Sequence, residues 1–174
     1  MSKFQFFYDY ECPFCKKGYE HLMDLLPAYP GVEIEWRPIE AHPRPENVWP
    51  HTDLCVEAFY AAGELGAGMD AFNRAMFRAA AIERQDVERG AVLAEILKGI
   101  VDSGKLLEIL KSRKYASKVS ENNNLAYEKK DIWYVPAFRV PESDSRAVPR
   151  LDARGGIGVR PSEIRSFLDK LSGA

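Results

Sequence analysis

The stretch Cys12-Pro13-Phe14-Cys15 decides how the chain is read. Two thiols three positions apart share one face of a helical turn, close enough for a disulfide to form with little backbone movement. Pro13 suits the first helical position, where its missing N–H costs nothing and its fixed φ is already helical, so Cys12 is placed at the helix cap. The N–H groups of Phe14 and Cys15 then point toward the Cys12 sulfur, and the positive end of the helix dipole favours thiolate over thiol. This arrangement predicts Cys12 as a nucleophile. Cys15, one turn in and facing the protein, is the expected resolving thiol.

Working outward, Lys3 to Tyr8 is a short aromatic run that reads as a buried strand feeding the turn. After Cys15, Gly18, Tyr19, Leu22, Leu25 and Leu26 follow helical spacing until Pro27 and Pro30-Gly31 end it. Val32 to Trp36 alternates apolar and charged residues as a second strand. Strand, helix and strand make a βαβ unit, normally right-handed with parallel neighbouring strands.

From Ala41 to Pro50 the chain is a proline-rich connector, and beyond it the period changes to three and four. A helical block is predicted from about residue 51 to about 129, including Lys105 to Lys111 and Tyr115 to Lys129, although Asn122-Asn123-Asn124 disfavours the last helix. Ile132 to Val140 returns to strand character, broken by Pro136. Arg146 to Ala153 reads as a final strand, with Pro141 to Ser145 as the hairpin connection. Gly155 to Gly158 turns the chain, and Pro161 opens a last helix with Ile164, Phe167, Leu168 and Leu171 on one face.

The order βαβ, helical block, ββα predicts an α/β fold of thioredoxin type with a large helical insertion. Residues 1–40 and 130–174 are expected to form the thioredoxin-like domain and residues 41–129 the inserted helical domain. At 174 residues the chain is long enough to bury a substantial core without disulfides. Lys+Arg 24 against Asp+Glu 26 leaves no basic excess for binding nucleic acid or acidic lipid, so the expected partners are small molecules or proteins. Three cysteines are too few for a secreted disulfide framework, no apolar run reaches the length of a membrane span, and Met1-Ser2-Lys3 leads into no signal-peptide core. The expectation is a cytoplasmic protein that does not bind membranes.

The residues around the dithiol carry a family resemblance. Phe6 to Cys15 resembles the opening strand and active site of the DsbA family. Asn124-Leu125-Ala126, followed by Asp131-Ile132-Trp133-Tyr134-Val135-Pro136-Ala137-Phe138, is similar to a second segment of that family. The nearest branch is the cytoplasmic one that includes FrnE-like proteins, 2-hydroxychromene-2-carboxylate isomerases and kappa-class glutathione transferases. The resemblance implies a thiol-disulfide oxidoreductase with no bound cofactor, acting on protein or small-molecule thiols and disulfides. The alternative it implies is a glutathione-dependent isomerase or transferase, with glutathione as co-substrate. It also implies that Pro136 is cis and lies against the dithiol, leaving the Val135 backbone free to pair with an extended substrate. Pro13, Phe14, Tyr134, Val135 and Pro136 are the substrate-binding candidates. The chain departs from the family where Asp131 and Tyr134 replace glycine, and Tyr134 places a large ring near the docking segment.

Several other readings compete. Glu11 opposes a thiolate at Cys12, whereas Lys16 and Lys17 favour it if they turn back. A zinc site built from Cys12, Cys15, His51 and Cys55 is the alternative use of the paired cysteines, against which Cys55 reads as a small buried hydrophobe. His21 reads as a surface residue, the Met69-Phe72-Met76 stripe as core, and Glu83 to Arg89 as a solvated helix junction.

Overall fold

The structure is a computed structural model that describes residues 2–141 and 149–173. Strand β1 (Ser2–Tyr8) runs through its centre. Phe4, Phe6 and Tyr8 project to one face and meet Phe138, Phe167, Trp36 and Phe77. Phe7 projects to the other face, into a second cluster with Ile39, Ala126, Ile132 and Ala137. Burial on both faces is why the strand carries aromatic residues on both sides, with Gln5 also buried, rather than alternating apolar and exposed polar residues.

Helix α1 (Pro13–Leu25) follows, then strand β2 (Val32–Pro38), which lies parallel to β1 in register from Ser2 opposite Val32 to Tyr8 opposite Pro38. Strand β3 (Ala137–Arg139) pairs antiparallel with the other side of β1, with Phe6 opposite Phe138. Strand β4 (Arg150–Asp152) pairs antiparallel with β3, giving the order β2-β1-β3-β4. Helix α7 (Pro161–Ser172) closes the chain and packs against α1. This is the thioredoxin-like α/β plan.

Between β2 and β3 lie α2 (Asp53–Glu64), α3 (Met69–Phe77), α4 (Gly90–Ile96), α5 (Ser103–Ser112) and α6 (Ala116–Asn124). Wide π-type turns, Arg78–Ile82 and Leu125–Lys129, extend α3 and α6. Buried side chains join sheet and helices into one cluster that runs from Phe4 and Phe138 to Phe72, Leu93 and Leu106. Among the described residues, no helix is long and apolar enough to cross a membrane.

One expected strand is shorter in the structure, a second falls partly outside the described residues, and the helix that the asparagines disfavoured forms as expected. The strand expected from Ile132 to Val140 is confined to Ala137–Arg139. Asp131 takes a left-handed φ of 51°, Trp133 and Tyr134 are exposed, and Pro136 has no N–H for a ladder. The last strand is Arg150–Asp152, while residues 142–148, covering most of the expected hairpin connection and the first part of the expected strand, lie outside the described residues. The asparagines do not break α6 before Asn124, because tertiary partners occupy their side chains. Asn122 Nδ2 donates to the Pro38 carbonyl and to the Tyr60 hydroxyl, each at 2.9 Å, and Asn123 exchanges two hydrogen bonds with Glu40. With those partners, the side chains no longer compete for the helix backbone.

Candidate active site

Cys12 caps α1 with an extended backbone, φ −83° and ψ 114°, and Pro13 occupies the first helical turn. The Cys15 N–H donates to Cys12 Sγ at 3.4 Å, and the Cys12 N–H donates to the Asp9 carbonyl at 3.2 Å. Cys12 is half-buried and Cys15 has no exposed surface. Their environments push them in opposite directions. Cys12 is drawn below the ordinary thiol range chiefly by a hydrogen bond from the Cys15 thiol, helped by the N–H groups of Cys15 and Phe14 and opposed by burial. Cys15 is pushed well above that range, first by burial and then by the neighbouring Cys12 sulfur. A thiolate at Cys12 beside a protonated Cys15 is the favoured pairing.

Asp9, at the exit of β1, is a residue the sequence reading missed. It is almost fully buried. Its carboxylate accepts the Glu11 N–H at 3.1 Å and the Ala41 N–H at 2.6 Å, and it is also bonded by Thr52. Its own N–H lies 3.5 Å from Cys15 Sγ. Burial raises its pKa to about 7 against those hydrogen bonds. When ionised it opposes thiolate formation at both Cys12 and Cys15. A turn-favouring aspartate bonding the N–H two residues ahead is a recognisable local signal. Its links to Ala41 and Thr52 are long-range and leave no mark in the sequence.

The Val135–Pro136 peptide bond is cis. Pro136 is buried against α1 at Gly18, where an added Cβ would stand 2.8 Å from Pro136 Cγ. Only glycine lets the helix backbone and the proline ring approach this closely. Val135 is half-buried beside it, and Tyr134 lays its exposed ring over Gly155, 2.9 Å from where a Cβ would sit. Phe14 packs on Gly158, which has a left-handed φ of 73°. The glycine loop therefore serves as the wall on which Phe14 and Tyr134 rest.

Two of the three charges expected to act on Cys12 are engaged elsewhere. Glu11 pairs with Arg84 at 3.6 Å, and Lys16 pairs with Glu20 one turn along α1. The Glu83–Arg89 junction is thus more than a solvated surface: Arg84 reaches Glu11, and Glu88 accepts the His51 N–H at 2.8 Å. Cys55 is fully buried on α2, and the His51 ring faces the His42 carbonyl. Among the described residues, no three His, Cys, Asp or Glu side chains are arranged to hold a metal ion.

A capped dithiol at the end of the central strand, with a proline turn packed on the same helix, defines the thioredoxin class of α/β proteins. Within that class the chain belongs to the DsbA-like family: residues 3–149 match the DSBA-like thioredoxin domain. A probable DsbA oxidoreductase from Streptomyces coelicolor superposes with a TM-score of 0.80 at 16% identity, covering 99% of this chain and 91% of that one. A putative protein disulfide isomerase from Nitrosomonas europaea gives 0.74 at 13% identity, with 97% and 96% covered. The cytosolic disulfide reductase DsbM from Pseudomonas aeruginosa gives 0.69 at 17% identity, with 97% of each chain covered. At these identities the likeness is one of fold. A comparison with curated proteins finds no match.

Proposed function

We propose that this protein is a thiol-disulfide oxidoreductase in which Cys12 is the nucleophile and Cys15 the resolving thiol. In the reducing direction, the Cys12 thiolate attacks a substrate disulfide, forming a mixed disulfide and releasing one substrate thiolate. Cys15 then gives up its proton and attacks Cys12 Sγ. The Cys12–Cys15 disulfide forms, the second substrate thiolate leaves, and two electrons have passed to the substrate. The oxidising direction is the reverse. The observation that carries this reading is the opposed environment of the two sulfurs, one favoured as thiolate at a helix cap and the other held as a buried thiol.

Pro13, Phe14, Tyr134, Val135 and Pro136 frame the docking surface in this reading. An extended substrate lies beside Val135, where Pro136 donates no N–H, with its disulfide at Cys12. Substrates are protein or small-molecule disulfides, and no bound cofactor is required. The test is the Cys12→Ser variant, which should lose dithiol-dependent reduction or oxidation of a model disulfide. Undiminished turnover in that variant would remove the proposal. Glutathione-dependent turnover that survives Cys15→Ser would instead support an isomerase or transferase.

A further inference from the structure

Two adjoining cavities run along the outer side of α1, away from Val135 and Pro136. The first, about 270 Å³, begins at Pro13 and Phe14, the residues that follow Cys12. The second, about 410 Å³, continues between α1 and the π-type turn Arg78–Ile82. They share Lys16, Glu20 and Ile82, and together form one groove of the size that small ligands occupy.

The groove has an apolar floor and a cationic rim. Ile82, 57% exposed, carries the apolar side of the groove, over the buried rings of Tyr19 and Phe77. The rim carries Lys16, Lys17, Arg74 and Arg78, with Lys16 paired to Glu20, Arg74 to Asp70 and Arg78 to Glu83, in a chain whose formal net charge is -2. Asp70 and Glu83 pair with Arg74 and Arg78 through the Nε edge alone. Among the described residues, the terminal nitrogens of both guanidinium groups have no hydrogen-bond acceptor. Each arginine is therefore held in place while its bidentate edge stays available to an anion. The turn that brings Arg78 and Ile82 to this wall is π-type, a local departure from helical winding of the kind that recurs at functional sites.

We infer that this groove binds one arm of a small disulfide whose arms end in carboxylates, with the arm's carbon chain on the apolar floor and its carboxylate on the arginine rim. The inference rests on the reading of Cys12 as the nucleophile. The reaction keeps the balance given above: Cys12 forms a mixed disulfide with the bound arm and expels the other arm as a thiolate. Cys15 then closes the Cys12–Cys15 disulfide and releases the bound arm, so two electrons from the dithiol convert one small disulfide into two thiols.

The experiment uses three probes of matched length: dithiodipropionate (anionic), hydroxyethyl disulfide (neutral) and cystamine (cationic). The rate at which each oxidises the reduced protein is divided by its rate with free dithiothreitol. The inference requires the normalised order anionic, neutral, cationic. It expects the anionic advantage to be about two- to fivefold per arginine, the size of a solvent-screened ion pair, and to shrink as salt is added. In the double variant Arg74→Gln/Arg78→Gln the ratio of anionic to neutral rates should fall to that of dithiothreitol. Both side chains are exposed, so circular dichroism should match that of the parent. A wild-type ratio equal to that of dithiothreitol, or a ratio unmoved in the double variant, overturns the inference. Binding of dithiodipropionate to the Cys12→Ser protein, followed by amide chemical shifts of α1 and Arg78–Ile82, separates the two readings. Shifts there without wild-type reaction with the neutral probe would keep the groove and remove the oxidoreductase. Absence of shifts would remove the groove.

Discussion

The first turn of α1 and the segment from Asp131 to Pro136, which packs on the same helix at Gly18, are held by different means. The turn is organised by neighbours in the chain: Cys15 N–H to Cys12 Sγ, Cys12 N–H to the Asp9 carbonyl, and Lys16 N–H to the Cys12 carbonyl at 3.1 Å. The facing segment is organised by a partner six residues back and by residues far away. Its Ile132 N–H donates to the Ala126 carbonyl at 3.0 Å, and its Ile132 side chain is buried with Phe7 and Ile39. The Cys12 thiol is tuned by the Cys15 thiol and by local backbone donors, whereas the shape of the cleft is set by tertiary packing. The two can be perturbed separately.

The largest separation should come from Cys15→Ala. This change removes the leading stabiliser of the Cys12 thiolate and the resolving step together. Cys12 should titrate closer to an ordinary thiol, and catalytic cycling should stop while mixed disulfides accumulate. Ultraviolet thiolate absorbance and mass spectrometry check this, and an unmoved titration would show that backbone donors alone hold the thiolate.

Gly18→Ala probes the other side of the comparison. Its new Cβ would meet Pro136 Cγ at 2.8 Å. Overpacking of this kind costs about 1–3 kcal/mol, set against about 1 kcal/mol gained by replacing glycine within a helix. We expect net destabilisation in urea, with the Cys12 titration little changed. Net stabilisation would mean that the facing segment moves aside freely.

Asp9→Asn tests the residue that touches both. A folded-state pKa of about 7, against an ordinary 3.8, means that the folded protein holds a proton the unfolded chain has released between those values. Stability should therefore fall as pH rises from about 4 to about 7, by about 1.4 kcal/mol per pH unit, and level off above. Asp9→Asn should flatten that slope and move the Cys12 titration downward, since the ionised carboxyl opposes the thiolate. Denaturation midpoints across pH measure the first effect, and an unchanged slope would contradict the assignment.

The smallest effect is expected at the Glu11–Arg84 pair, which is partly exposed on its Arg84 side. Arg84→Gln should cost less than about 1 kcal/mol and the cost should vanish in high salt. A larger loss of activity than of stability would show that this pair orients the entry to α1.

What the sequence revealed follows the same division. Cys12 at the cap, Pro13 in the first turn and the final helix from Pro161 depend on neighbours within a few residues, the parallel βαβ unit follows from the order of its elements, and each is found where the sequence placed it. The short β3 and the exposed Trp133 and Tyr134 were hidden, because a run rich in aromatic and β-branched residues looks like a strand whether or not a partner is present. Asp9 was hidden for the converse reason: a single acid between tyrosines reads as a turn until Ala41 and Thr52 close over it. The partners of Glu11 and Lys16, Arg84 and Glu20, compete with the sulfur for their charge, which the residues beside Cys12 alone do not show.

The bare contact at Gly18 has a mechanical corollary. With no side chain interposed, the active-site helix and the proline turn have no compressible layer between them. Under the proposed function, the nucleophile and the ledge that receives its target therefore shift together, as the two jaws of a clamp cut from one piece.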